Sequence, residues 1–121
     1  MFSHYASSSE AVLKARAATE NNDLSEGTGL ERLFAGQLPP FSSTKPYTGH
    51  TLAAAGAIEA VYSILALHNK MVWPSLNFKN PMSELNIRPA AQLIRNHAMR
   101  HVLSNSFGFG GNTSSLLISA V

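Results

Sequence analysis

Cysteine is absent from the 121 residues of this chain. A protein without cysteine forms no disulfide bonds and no thiolate metal sites, and it offers no cysteine nucleophile for covalent catalysis. Charge is scarce as well, because charged residues make up 13% of the sequence, whereas an average soluble domain has roughly 25%. We interpret this low charge as an indication that a partner covers part of the surface.

The scarcity of charge also limits the classes of partner. The Lys and Arg residues number 9, are scattered along the chain and leave a formal net charge of +2, which argues against nucleic-acid binding. The N-terminus has no basic start followed by an apolar stretch, and Glu59 and Ser63 interrupt the longest apolar segment. We therefore expect no signal peptide, no membrane span and a cytoplasmic location.

The first third of the chain is predicted to contain one helix and one strand. Residues 10–18 have a helix-forming composition, so the start of the chain is expected to be frayed or helical. After Ser25, apolar residues follow at helical spacing, which predicts a short helix that ends near Gly36. A Pro-Pro pair then forces an extended backbone, so residues 41–44 are predicted to form a short strand.

A long apolar helix is predicted from Thr51 to about His68. Nearly all of its residues are apolar or good helix formers, so we expect it to be buried on most sides. Its first turns contain small residues, among them Gly56, which let another backbone approach closely. This helix is the predicted centre of the fold.

The last third of the chain is predicted to contain short strands and one further helix. Met71–Trp73 is predicted as a short strand, and residues 92–101 have a helix-compatible composition. Residues 102–106 and 115–121 are predicted as strands, the second of them buried, and the glycine turn between them indicates an antiparallel hairpin.

Three motifs carry a resemblance to a known family. Lys45-Pro46-Tyr47-Thr48-Gly49-His50-Thr51 precedes a small-residue helix, Pro74-Ser75-Leu76-Asn77 follows that helix, and Asn105-Ser106-Phe107-Gly108-Phe109-Gly110-Gly111 lies downstream. From about Asn21 to Val121 the chain resembles the C-terminal part of a β-ketoacyl-(acyl-carrier-protein) synthase, a ketosynthase. The resemblance implies an α/β fold, the C-terminal portion of a thiolase-like layered fold with a buried central helix packed on a small mixed sheet. It also implies a divergent segment over residues 1–20 and a partial ketosynthase C-terminal domain over residues 21–121.

The resemblance also implies a reaction and a set of site residues. The family joins an acyl thioester to a malonyl thioester held on acyl carrier protein, with loss of carbon dioxide. His50 matches the second active-site histidine and Lys45 the supporting lysine, while Phe109 matches a substrate-gating phenylalanine to which Gly108 gives freedom of movement. No cofactor and no metal are implied. The implied partners are acyl carrier protein and ketosynthase subunits in a homo- or hetero-dimer, with neither nucleic acid nor membrane.

The position of His50 in the sequence is compatible with the chemical role that the resemblance implies for it. Decarboxylation of a malonyl thioester builds negative charge on the thioester oxygen, and an imidazole N–H aimed at that oxygen stabilises the charge. His50 lies directly before the long helix, whose N-terminal dipole favours a neutral imidazole. Lys45 is expected to set the electrostatics of the site by pairing with a carboxylate such as Glu59.

The chain departs from the family pattern in places that bear on activity. Ala15 stands where the family has its first histidine, and the Cys nucleophile is absent. After the Gly-Gly pair the chain has Asn112-Thr113, whereas the family usually has Thr-Asn. The chain alone is therefore expected to be inactive. Three hypotheses follow: a portion of a ketosynthase that functions only when joined to the rest, a non-catalytic partner of a complete ketosynthase, or a free-standing α/β binding module.

Two further clusters are candidate sites. His97 and His101 are spaced as two metal ligands on one helix face would be, but no third ligand is evident, so a solvated basic helix is preferred. Lys79, Arg88, Arg95 and Arg100 offer a basic patch for an acidic carrier protein, although a solvated surface is the preferred interpretation. The glycine loop lacks the Lys-Ser/Thr of a phosphate-binding loop, which excludes that form of nucleotide binding.

Overall fold

A four-stranded mixed sheet forms the centre of the structure. The structure is a computed structural model that describes residues 10–14, 20–35, 37–108 and 110–121. The strand order is β2-β1-β3-β4, in which β1 pairs in parallel with β2 and β3, and β3 pairs antiparallel with β4. The elements in chain order are β1 Glu10–Lys14, α1 Glu20–Phe34, β2 Phe41–Ser43, α2 Lys45–Thr48, α3 Ala55–Asn69, β3 His101–Phe107 and β4 Thr113–Ser119.

Two apolar clusters lie on opposite faces of the sheet. Val102 on β3 packs with Val72 and Met99 beneath α3, whereas its neighbour Leu103 packs against the pair Leu30 and Phe41 beneath α1. Successive side chains of a strand point to opposite faces, so α3 and α1 cover the two sides of the sheet. The layered α/β fold with a helix packed on a small mixed sheet is thus confirmed.

Several predicted elements are confirmed. Helix α1, strand β2, the long helix and the antiparallel hairpin of β3 and β4 all form close to their predicted positions. A 3-10 turn, Leu52–Ala54, precedes α3 and accounts for the predicted start at Thr51. Gly36, where the first helix was predicted to end, lies outside the described residues, and α1 ends at Phe34.

The prediction for the start of the chain is wrong. Residues 10–14 form β1 rather than a frayed or helical segment, and they pair with two other strands. Hydrogen bonding on both sides of a central strand outweighs the helix propensity of these residues, because tertiary context overrides intrinsic propensity.

The predicted helix over residues 92–101 is also wrong. The chain there is irregular, with a single antiparallel bridge between Val72 and Ile94, and this bridge is all that forms of the strand predicted over Met71–Trp73. Asn96 has a positive φ of 55°, which a continuous helix does not accommodate. His97 and His101 therefore share no helix face, and His101 begins β3.

Helix α3 is covered on one face only, which corrects the expectation that it is buried on most sides. Its buried residues are Glu59, Ser63 and Ala66, whereas Val61 and Ile64 are 57% and 55% exposed. By length and composition Leu52–Asn69 is the one helix in the described part of the chain that could cross a membrane.

Strand β4 was predicted to be buried, and this prediction is wrong as well. Leu116 and Leu117 are each about half exposed, because β4 lies at the edge of the sheet.

Candidate functional site

The segment from Lys45 to His50 is held between β2 and α3. Backbone hydrogen bonds close its single helical turn, in which the N–H of Gly49 donates to the carbonyl oxygen of Lys45 at 2.8 Å. Two contacts with the loop after α3 fix the turn in space. The Tyr47 hydroxyl donates to the carbonyl of Pro74 at 2.6 Å, and the backbone N–H of Ser43 donates to the Ser75 hydroxyl at 3.0 Å.

Backbone geometry then turns the chain toward α3. Gly49 has a φ of 72°, a left-handed conformation that glycine adopts without steric cost. Leu52, which carries a side chain, also has a positive φ of 50°. Four other described residues share a positive φ, Ala35, Lys70, Asn77 and Asn96, so this conformation matters here for where it places the Leu52 N–H, two residues from His50.

A hydrogen bond from this strained residue orients the His50 imidazole. The backbone N–H of Leu52 donates to Nδ1 of His50 at 3.0 Å. An Nδ1 that accepts a hydrogen bond carries no proton, so a neutral ring has its proton on Nε2. The arrangement selects an imidazole that donates through Nε2.

A buried carboxyl group lies beneath this histidine. Glu59 on α3 is 3% exposed, and the hydroxyl of Ser106 on β3 donates to its Oε2 at 3.0 Å. Within the described residues its Oε1 has no hydrogen-bond partner. Burial raises the pKa of the Glu59 carboxyl, while the Ser106 hydrogen bond and the nearby Lys45 and His50 lower it by smaller amounts.

The structure thus brings Lys45 and His50 to the same carboxyl group. Lys45 acts on Glu59 through its charge, and the side-chain hydrogen bond that Glu59 accepts comes from Ser106. Gly108 lies two residues beyond Ser106, at the base of the glycine loop, and its N–H donates to the carbonyl of Asn112 at 2.7 Å. Phe109 and Ala15, the other two positions named from the resemblance, lie outside the described residues.

Ser106 is the member of this group that its sequence pattern does not reveal. It stands within the glycine-rich motif, but 47 residues separate it from Glu59, so nothing in the spacing links the two. The sequence does show one indication: Glu59 is a carboxylate within an apolar helix, and a buried carboxylate requires a hydrogen-bond donor from another element.

No metal centre is built into this region. Over residues 10–14, 20–35, 37–108 and 110–121, no three His, Asp or Glu side chains come together as metal ligands. Nδ1 of His101 lies 2.8 Å from the Ser119 hydroxyl on the paired strand.

The layered α/β fold holds His50 before its central helix, with Lys45 and the buried Glu59 carboxyl group nearby. The family model described as "Beta-ketoacyl synthase, C-terminal domain" matches residues 9–79, more than half of the chain. The chain belongs to the β-ketoacyl synthase family.

Curated relatives support this assignment. The chain is 38% identical over 103 residues to 3-oxoacyl-(acyl-carrier-protein) synthase 1 of Haemophilus influenzae, an alignment that covers 83% of this chain and 25% of that protein. It is 46% identical over 83 residues to the mitochondrial 3-oxoacyl-(acyl-carrier-protein) synthase of Arabidopsis thaliana, covering 67% of this chain and 18% of that protein. The chain thus spans about a quarter or less of the length of these relatives.

Solved structures agree on the fold. A β-ketoacyl synthase from Burkholderia phymatum is 32% identical, with a TM-score of 0.82 over 93% of this chain and 28% of that one. A type II PKS acyl-carrier protein in complex with its ketosynthase bound to the hexaketide gives a TM-score of 0.87 at 28% identity, over 96% of this chain and 29% of that one.

Proposed function

We propose that this chain supplies the histidine and lysine side of a β-ketoacyl synthase active site. The reaction is the decarboxylative condensation of an acyl thioester with malonyl-acyl carrier protein, and the cysteine that carries the acyl group comes from the part of the family fold that this chain does not span. The observation that carries the proposal is the hydrogen bond from the Leu52 N–H to Nδ1 of His50.

His50 acts in this proposal as the donor to the developing oxyanion. When the malonyl thioester loses carbon dioxide, the electron pair of the broken C–C bond moves into the adjacent thioester and places negative charge on its oxygen. Nε2–H of His50 donates to that oxygen, and because Nδ1 already accepts a hydrogen bond, the ring is oriented before the charge forms. The carbanion carbon then attacks the acyl thioester, which releases the cysteine thiolate.

Lys45 and the glycine loop support this step. Lys45 places a positive charge near the buried Glu59, so the carboxyl group does not oppose the oxyanion with an uncompensated negative charge. Gly108 begins a short loop closed by its hydrogen bond to Asn112, and Phe109 within that loop is proposed as the gate to the acyl chain.

The partners follow from the exposed surfaces. Val61, Ile64 and Leu65 present apolar side chains on the outer face of α3, and we propose that the remainder of a ketosynthase fold, in a homo- or hetero-dimer, covers them. Acyl carrier protein is the proposed substrate carrier, as supported by the similar ketosynthase that was solved in complex with one.

A protein-covered helix also explains the apolar segment Leu52–Asn69 better than a membrane does. Its inner face buries Glu59 and Ser63 against the sheet, and a membrane-spanning segment would have to expose or partner these groups in lipid. We therefore propose a cytoplasmic protein.

The division into residues 1–20 and 21–121 stays a prediction, and the pairing of β1 within the sheet favours a boundary nearer the N-terminus.

One observation favours a second candidate, the non-catalytic partner subunit. The chain has no cysteine and is apolar where a partner would bind, which is compatible with a subunit that only assembles. The two candidates differ in whether His50 takes part in turnover.

The test combines the 121-residue chain with a cysteine-bearing N-terminal portion of a β-ketoacyl synthase and measures malonyl-carrier decarboxylation. We expect no turnover from the chain alone, turnover from the combination, and a loss of about 100- to 1,000-fold in His50→Ala, the effect of removing one oxyanion donor. His68→Ala, an exposed histidine in the last turn of α3, is the matched control. Undiminished turnover in His50→Ala would favour the partner-subunit candidate.

A further inference from the structure

The end of β3 meets α3 directly over the buried carboxyl group. Ser106 donates to Oε2 of Glu59 at 3.0 Å. Gly56 lies three residues before Glu59 on the same helix face, and a Cβ placed there would be 3.6 Å from the Ser106 hydroxyl oxygen. The backbone of α3 therefore runs beside Ser106, and the hydrogen bond joins the two elements where they approach each other.

The glycine loop begins immediately beyond this contact. Gly108 accepts a hydrogen bond from the N–H of Gly111 at 3.1 Å and donates to the carbonyl of Asn112 at 2.7 Å. These bonds close the loop on itself without joining it to α3. The position of the loop relative to α3 is thus set at its base, by the residues that end β3.

Glycine-rich backbone has little intrinsic rigidity, because glycine has more accessible conformations than any other residue. A hydrogen bond to a buried carboxyl group is among the stronger side-chain interactions, because burial excludes competing water. Ser106 lies two residues from Gly108, so its hydrogen bond to Glu59 restrains the backbone at the start of the loop.

We propose that Ser106 is a positioning residue whose hydroxyl, through Glu59, fixes the base of the glycine loop to the helix that follows His50. This inference rests on the proposed function, because the loop matters for condensation only if it borders the acyl site. It assigns a role to the hydroxyl group that donates to Oε2 of Glu59.

The test measures amide hydrogen exchange of the full 121-residue chain, residue by residue. In Ser106→Ala we expect the amides of Gly108 and Gly111 to exchange about tenfold faster. In the wild-type chain, opening the loop must also break the hydrogen bond between Ser106 and Glu59, and the variant lacks that bond. Ser106→Thr keeps the hydroxyl and is expected to restore slow exchange. Glu59→Gln keeps an acceptor oxygen without the charge and is expected to retain most of the protection.

Ser115→Ala is the matched control, because Ser115 donates to Oδ1 of Asn105 at 2.8 Å within the same hairpin. It is expected to leave the exchange of Gly108 and Gly111 unchanged. Equal acceleration in Ser106→Ala and Ser115→Ala, or unchanged exchange in Ser106→Ala, would overturn the proposal.

If Ser106→Ala does not fold, Ser106→Cys takes its place, and the weaker thiol donor is expected to give intermediate exchange rates. Exchange at the wild-type rate in that variant would equally overturn the proposal. The readout needs no turnover, so a failed condensation assay with a responsive loop refutes the proposed function alone.

Discussion

The two faces of α3 have the opposite character from those of a helix in an isolated domain. The fully buried residues of α3 are Glu59, Ser63 and Ala66, with the partly buried Tyr62 and Leu67 packed on the apolar cluster beside them, whereas the face toward solvent contains Val61, Ile64 and Leu65. Helices on the surface of a globular protein bury their apolar stripe and expose their polar one. The buried side of α3 allows close approach to β3, and its exposed apolar side is the surface that we propose to contact the rest of a ketosynthase fold.

Small residues explain how the inner face works. Ala66 is 2% exposed, and the hydroxyl of Ser63 donates to the backbone carbonyl of its own helix at Glu59, at 2.7 Å. The helix therefore comes close enough to β3 for Ser106 to reach Glu59. A bulkier inner face would hold the carboxyl group away from its donor.

The largest expected effect comes from adding volume to the inner face. Ala66→Leu is expected to lower the free energy of unfolding by about 1–3 kcal/mol, because the site is already packed. Its neighbour Leu65, 42% exposed, provides the matched control. Leu65→Ala is expected to change stability by no more than about 0.5 kcal/mol. Urea denaturation of the isolated chain measures both, and equal costs would contradict the assigned faces.

An intermediate effect is expected from charging the outer face. The isolated chain should self-associate and bind a hydrophobic dye, because adjacent exposed apolar side chains behave as an uncovered interface. Ile64→Glu is expected to weaken both properties without loss of helix content. The comparison is with His68→Glu, at an exposed polar position of the same helix. A monomeric wild-type chain that binds no dye would refute this description of the outer face.

The smallest effect is expected from the charge on Glu59, and it depends on pH. Because the folded-state pKa of Glu59 is raised, the folded state holds this proton more tightly than the unfolded state does. Its contribution to stability is present below the ordinary carboxyl pKa and is lost as the pH rises through the raised value. Glu59→Gln should remove this loss of stability, so the free energy of unfolding of the variant should rise relative to that of the wild type as the pH increases. Parallel pH profiles of urea denaturation would contradict the sign.

Much of the fold could be predicted from local patterns. The helix from Thr51 follows from a continuous run of helix formers, and the hairpin follows from two apolar strands around a glycine turn. Strand β1 could not be predicted, because its pairing with β2 and β3 depends on residues that lie 29 or more positions away in sequence. The helix predicted at residues 92–101 failed because composition does not report the positive φ of Asn96.

The candidate site divides in the same way. Lys45 and His50 stand in one short motif, so the sequence alone brings them together. Their shared electrostatic partner Glu59 lies nine residues after His50, on α3. Ser106 is joined to them by tertiary structure alone. The burial of α3 was overestimated because composition indicates that a face is apolar but not which chain covers it.

The most direct test of the account is a sedimentation experiment with the 121-residue chain and a cysteine-bearing N-terminal portion of a β-ketoacyl synthase. We predict a complex of fixed stoichiometry for the wild-type chain and for His68→Glu, and a weakened complex for Ile64→Glu. Binding that is unaffected by charge at Ile64, or the absence of any complex with a folded wild-type chain, would contradict the claim that the outer face of α3 is covered by the rest of a ketosynthase fold.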